Sequence, residues 1–232
     1  MALPVIDSPI FSIELPSTKN TLRFRPFTVK EEKLLLLASE SEDAKTVSDT
    51  IKQVLNNCFI DEVDINTLAI FDVEYVFLKL RAKSVNNIIE LQFKDDHDKN
   101  VKTEIDLEEV IVEFDPEHTN QINLSEKVIL TMKYPSFSMF EAMSGGKENT
   151  DMSDILKETI DKVVNGDEVL SLKDYSNEEI TAFTDSFTSK NMRDIEKFFG
   201  TLPKLKMDVK YRDSEGNDKV REVVGLQNFF IS

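Results

Sequence analysis

Asp72 and Glu74 stand two residues apart in a mostly apolar segment, and a carboxylate pair is the minimum equipment for general acid–base chemistry. Such a pair works near neutral pH only when its surroundings push the two pKa values apart. No histidine, lysine or polar cluster lies close by to do this. Both residues fall near the start of a helical pattern, where carboxylates complement the helix dipole, and that structural role is the preferred reading. Asp96, Asp98 and Asn100 occupy the first three ligand spacings of a calcium loop. The sixth position of such a loop needs glycine and is Val101; the twelfth needs glutamate and is Leu107. His97 and His118, the only histidines, lie in polar loops with no His-x-x-x-His spacing and no cysteine partner, and read as surface residues. Cys58 is the sole cysteine, which excludes an intrachain disulfide and a cysteine-based zinc site. It ends an apolar stripe and reads as a small buried hydrophobe. Gly145-Gly146-Lys147 lacks the spaced glycine and the Lys-Ser/Thr pair of a phosphate loop. Asn123-Leu124-Ser125 fits a glycosylation pattern that matters only after secretion. No catalytic, cofactor-binding or metal-binding residue is therefore assigned, and the expectation is a protein of contacts and not an enzyme.

The elements that would present such contacts are organised around residues 24–40. Thr28 and Glu31 have capping-box spacing, and Leu34 to Leu37 then cover a full helical turn. A turn that is apolar on every side predicts a helix held between layers. Before it, Phe11, Ile13 and Leu15 alternate, as do Leu22 and Phe24, with Pro16 to Asn20 as the turn of an N-terminal hairpin. After it, Val47, Ile51, Val54, Leu55 and Cys58 form one stripe of a second helix. Residues 68–83 read as a third, apolar on most faces.

From Ser84 the period changes to two. Ile89, Leu91 and Phe93 face Val101, Thr103 and Ile105 across a turn. Val110, Val112 and Phe114, then Val128, Leu130, Met132 and Tyr134, add two strands and complete an antiparallel meander over 85–134. The chain then turns helical. Ser136 caps a short helix with Phe137, Phe140 and Met143; Ile155, Ile160, Val163 and Val164 mark another that ends at Asn165-Gly166. Ser176 and Glu179 open a helix with Ile180, Phe183 and Phe187. Met192, Ile195, Phe198 and Phe199 mark the last, with Gly200 as its C′ residue and Pro203 preventing resumption. A hairpin through Leu205, Met207, Val209 and Tyr211, turning at Asp213 to Asp218, leads to Phe229 and Phe230. The fold class is α+β: an N-terminal hairpin and helices, a central antiparallel meander, and a C-terminal helical half ending in a β-hairpin. The domain division drawn from these patterns is 1–134, 135–203 and 204–232.

Composition narrows the partners. The 232 residues include 44 acidic and 28 basic side chains, for a net charge of -16. This balance opposes nucleic acid, whose binding needs clustered cations, and an anionic membrane surface. It favours solubility or a partner with a basic face. Sixteen phenylalanines against four tyrosines and no tryptophan favour core packing. No apolar run approaches the ~20 residues of a membrane span, and the first ten residues lack the basic start of a signal peptide. A reducing cytoplasm is the expected compartment.

Several separated stretches carry a resemblance. They are Arg25-Pro26-Phe27-Thr28-Val29-Lys30-Glu31-Glu32-Lys33-Leu34-Leu35-Leu36, Phe71 to Leu78 with Leu80-Arg81-Ala82-Lys83-Ser84-Val85 beyond, Tyr134-Pro135-Ser136, Lys197 to Leu205, and Gly225-Leu226-Gln227-Asn228-Phe229-Phe230. In this order the chain resembles the baseplate hub and hub-assembly proteins of T-even-type contractile-tailed bacteriophages. The resemblance implies a non-enzymatic role in the central hub of the tail baseplate, with other hub proteins as partners and no cofactor. It places the protein in the host cytoplasm during assembly or in the virion tail. Related sequences carry Cys-x-x-Cys in the last hairpin, like a zinc knuckle; here Tyr211, Arg212, Asp213 and Ser214 stand there, so no metal role carries over. Burial of Phe229 and Phe230 within the chain itself is the default expectation, and contact with a partner is the alternative. Two further readings remain: an acidic assembly chaperone for a basic client, absent from the mature particle, and a tail-associated hydrolase built on two carboxylates.

Overall fold

A computed structural model of the chain describes residues 6–41, 43–144 and 152–226. Strands β1 (Phe11–Glu14) and β2 (Thr21–Phe24) form the first hairpin. Helices α1 (Val29–Ser39), α2 (Ala44–Cys58) and α3 (Ile70–Ser84) follow. Next come strands β3 (Ile88–Lys94), β4 (Asn100–Asp106), β5 (Ile111–Glu113), β6 (Gln121–Asn123) and β7 (Val128–Met132). Helices α4 (Phe137–Ser144) and α5 (Met152–Thr159) lead to β8 (Ile160–Asn165) and β9 (Glu168–Leu170). Helices α6 (Asn177–Asp185) and α7 (Ser189–Gly200) precede the last hairpin, β10 (Lys204–Arg212) and β11 (Asp218–Val224). Helices and antiparallel sheets together make this an α+β protein.

The chain forms two compact units, Met1–Glu113 with Lys204–Ser232, and Phe114–Pro203. This division differs from the one drawn from periodicity, because the strands over 85–134 do not form one meander. Among the described residues β3 and β4 pair only with each other, β5 pairs with β10, and β7 pairs with β6 and β8. Alternation marks a strand but does not choose its partner, and here two partners lie far along the chain.

The first unit is built around α3. Its residues Leu78 and Ala82 pack with Leu91 of β3, Ile105 of β4, and Leu205, Met207 and Val209 of β10 in one buried cluster. The hairpins β3–β4 and β10–β11 carry the same turn design. Asp95 accepts from the N–H groups of His97 and Lys99, both at 2.9 Å, and Asp213 accepts from those of Glu215 at 3.0 Å and Asn217 at 2.8 Å. Each turn then passes through the left-handed region, at Asp98 (φ 59°) and Gly216 (φ 90°). Asp and Gly are residues that tolerate this conformation. The hairpins meet through the edge-to-face rings of Phe93 and Tyr211, with centroids 4.9 Å apart, and through the Ser214 N–H donating to Asp95 at 2.9 Å.

The second unit is a four-stranded antiparallel sheet in the order β6-β7-β8-β9 with helices packed on it. Ile122, Leu130, Ile160 and Val163 of the sheet share a core with Leu156 of α5, Ile180 of α6, and Ile195 and Phe198 of α7. The helix expected to run to Asn165-Gly166 stops at Thr159, and Ile160 opens β8. Asn165-Gly166 is instead the corner of the β8–β9 hairpin, with Gly166 at φ 61°. The β-branched Ile160, Val163 and Val164 favour the strand, and pairing with β7 secures it. Gly200 is also not a C′ residue. It is the last residue of α7, and Thr201 caps the end by donating its hydroxyl to the Lys197 carbonyl at 2.7 Å.

Candidate interaction surface

Asp72 and Glu74 are not brought together. Residues two apart on a helix diverge, and each carboxylate secures a different part of the first unit. Asp72 is buried and accepts from both the backbone N–H and the hydroxyl of Ser17, which fastens the β1–β2 turn to the start of α3. Glu74 is half-buried and accepts from the Leu226 N–H at 3.4 Å, where the chain leaves β11. Burial raises the pKa of both. The pair acts as two anchors.

The other candidates are likewise occupied. Asp98 pairs with Lys94 at 2.7 Å and Asp96 with Lys219 at 3.4 Å, so the turn's exposed carboxylates are matched by lysines of the two hairpins. Among the described residues no group of three or more His, Cys, Asp or Glu is placed to hold a metal. His97 is exposed, with Nε2 3.6 Å from Glu215. His118 departs from its reading as a surface residue. Its ring lies 5.7 Å from that of Tyr134 and 5.1 Å from that of Phe198, and Nδ1 contacts the Thr201 hydroxyl at 2.9 Å. Burial lowers its pKa, and Nε2 is buried without a partner among the described residues. Cys58 is buried at the end of α2, and burial pushes its thiol up to about 11, which leaves it unreactive near neutral pH. Gly145, Gly146 and Lys147 lie outside the described residues, as do Phe229 and Phe230.

The second unit holds an open cavity of about 220 Å³ lined by Val163, Leu170, Leu172, Tyr175, Glu179, Ile180 and Phe183. Its one carboxylate, Glu179, is spent on capping α6, where it accepts from the Ser176 N–H at 2.8 Å. The rest of the lining is apolar apart from Tyr175.

Residues that sequence reasoning passed over serve to hold α1 and α3. Lys79, in the middle of α3, is buried and donates to the carbonyls of Leu107 at 3.0 Å and Glu108 at 2.7 Å. A lysine between Leu78 and Leu80 in a helix apolar on most faces was its only signal. Glu31 was legible as a cap, but its pairing with Arg25 was not. Its buried carboxylate accepts from the Thr28 N–H at 2.8 Å, the Thr28 hydroxyl at 2.6 Å and Arg25 at 3.1 Å. Burial pushes this carboxyl up, but the Thr28 hydroxyl, Arg25 and the Thr28 N–H together hold it down at about 2.

The expectation for α1 itself is overturned. The helix is not enclosed between layers. Within it only Glu31 and Ala38 are buried, Leu34 and Leu35 are half-buried, and Val29, Leu36 and Leu37 are 64, 60 and 68% exposed. α1 packs on α2, and the Phe27 N–H just before it donates to Ser84 Oγ of α3 at 2.9 Å. Nothing among the described residues covers its far side. Val29, Leu36 and Leu37 stand at i, i+7 and i+8, so they share one face, with Lys30, Lys33 and the C-cap residue Glu40 exposed beside them.

A family model described as T4 bacteriophage base plate protein matches residues 8–231, nearly the whole chain. The chain belongs to this family. No curated protein and no solved structure matches it. Membership implies that this baseplate protein contacts other baseplate proteins and works in the phage tail. Among the described residues no helix is long and apolar enough to cross a membrane. Within the baseplate protein, the described stretches that carry the resemblance fall both within α3 and where one element passes into the next. Arg25 to Leu36 turns β2 into α1, Leu80-Arg81-Ala82 lies in α3, and Lys197 to Leu205 carries the chain from α7 into β10.

Proposed function

We propose that this chain is a non-enzymatic protein in the assembly or structure of the central hub of a contractile phage tail baseplate. The observation that carries the reading is the family match over residues 8–231. Several carboxylates hold the fold: Asp72 and Glu74 are anchors, Glu31 and Glu179 are caps, and Asp95 and Asp213 are turn acceptors. The partners are other hub proteins of the same baseplate, met in the host cytoplasm during assembly, and neither nucleic acid nor membrane takes part. Phe229 and Phe230 are partner contacts in this reading.

The net charge of -16 favours a second reading, an acidic assembly chaperone that holds a basic client and leaves before the particle is complete. Co-expression with the other baseplate hub proteins, with each purified complex sized by light scattering over a salt series, separates the two. A stoichiometric complex that survives high salt is expected of a hub component. A complex that dissociates as salt rises supports the chaperone. A monomer that binds none of them rejects both. A cell-wall turnover assay with clear activity would reverse the non-enzymatic assignment.

A further inference from the structure

We propose that His118 is a pH-sensitive clasp that closes the second unit at its neck while neutral and opens when it is protonated. The clasp lies wholly within the second unit and does not depend on the baseplate reading. That unit begins at Phe114 and ends at Pro203, and the contacts of His118 tie its two ends together. The ring belongs to residues 114–120, which lead into β6. It lies against Phe198 of α7, Tyr134 just beyond β7, and Thr201 just beyond α7. Beside it, Glu117 pairs with Lys197 of α7 at 3.0 Å and makes a second tie between the same two segments.

The hydrogen bonds fix the protonation state. The Thr201 hydroxyl has one hydrogen and gives it to the Lys197 carbonyl at 2.7 Å. Its oxygen therefore accepts from His118 Nδ1–H at 2.9 Å, and Nε2 carries the lone pair of a neutral ring. Nε2 is buried with no partner among the described residues. A neutral ring leaves one acceptor unused there. Protonation puts a charged donor in the same place with nothing to receive it, which is the costlier state. Asp115, on the same segment, pulls the other way, but it is exposed and burial of the ring outweighs it. Glu117 is engaged by Lys197, Asp194 of α7 also acts on Lys197, and Tyr134 and Thr201 bring no carboxylate. The folded chain thus favours the neutral imidazole, whose ordinary value is 6.5. The clasp is fully stabilising above pH 6.5 and is lost as pH falls through the lower folded value. A charged ring regains water by turning outward, which breaks its contact with Thr201 and its packing on Tyr134 and Phe198.

The test uses the full chain and His118→Phe, which keeps an aromatic ring in the site but cannot titrate. The chain has two histidines, so His97→Gln assigns the NMR signals of the His118 ring. That ring is expected to titrate below 6.5. Over the same interval, amide exchange in residues 114–120 and 197–203 should speed up severalfold in the parent chain relative to His118→Phe at the same pH, a ratio that cancels the intrinsic pH dependence of exchange. A ring that titrates at or above 6.5 overturns the clasp, since Asp115 and the aromatic faces would then favour the charged form. Titration without a change in exchange also overturns it, because the ring would be protonated in place. Equal acceleration in the two chains assigns the loosening to carboxylates and rejects His118 as its cause. If His118→Phe does not fold, the coincidence of ring titration and faster exchange in the parent chain decides the matter.

Discussion

At the scale of single residues, the acidic side chains of this protein divide into solvated charge and a few carboxylates that hold the fold. Glu31 is the clearest of the latter. Its carboxyl is held at about 2, against an unfolded value near 4.5, so the folded state favours the charged form. The resulting stabilisation is complete above pH 4.5 and is lost as pH falls toward 2. It amounts to at most about 3 kcal/mol. Glu31→Gln should therefore lower the melting temperature at neutral pH, and the gap from the parent chain should close through that acid window in a melting series. A gap independent of pH would mean that Glu31 acts by shape alone. Phe229 and Phe230 make a second prediction. Replacing both by Ala should cost on the order of 3 kcal/mol or more if the chain buries them, or weaken partner binding if the partner does. Unchanged melting together with unchanged binding would remove their assigned role. Asp72 shows what a sequence conceals at this scale. Its position at a helix start was legible, but its partner Ser17 is distant in the chain, and no local pattern records that contact.

At the scale of elements, local signals were read well and pairings poorly. The capping boxes at Thr28 and Ser176 open α1 and α6 as expected, because the two residues of a box contact each other across a single turn. The two long hairpins were legible from alternation and their Asp-rich turns. The leucine run of α1 misled because apolarity on every side describes what a helix could bury; the neighbours present decide what it does bury. The switch from α5 to β8 was missed because Ile155, Ile160, Val163 and Val164 satisfy a loose helical spacing, and the deciding partner, β7, lies beyond α4 and α5 in the chain. Gly166 tests this corner. No heavy atom lies within 4 Å of where a Cβ would stand, so Gly166→Ala meets strain only from its φ of 61°. A loss of about 1 kcal/mol in urea unfolding is expected. A neutral result would mean that the β8–β9 turn relaxes freely, and with it the argument that this glycine fixes the hairpin.

At the scale of the whole molecule, the first unit is interrupted in sequence by the second. The interruption opens and closes at one place, since Glu113 of β5 and Lys204 of β10 are paired neighbours. Replacing residues 114–203 by a short Gly-Ser linker should therefore leave a first unit that unfolds cooperatively in a denaturant series. A non-cooperative product would show that its core depends on the inserted unit. The same threading orders events on the ribosome. Leu78, Leu91 and Ile105 emerge early, but Leu205, Met207 and Val209, which complete their core, are synthesised only after the entire second unit. The second unit is contiguous and can fold as soon as it is released, while the first waits with apolar surface uncovered. A nascent chain stalled or cut short before β10 therefore never finishes that core, and Leu78, Leu91 and Ile105 are left without the strand that covers them.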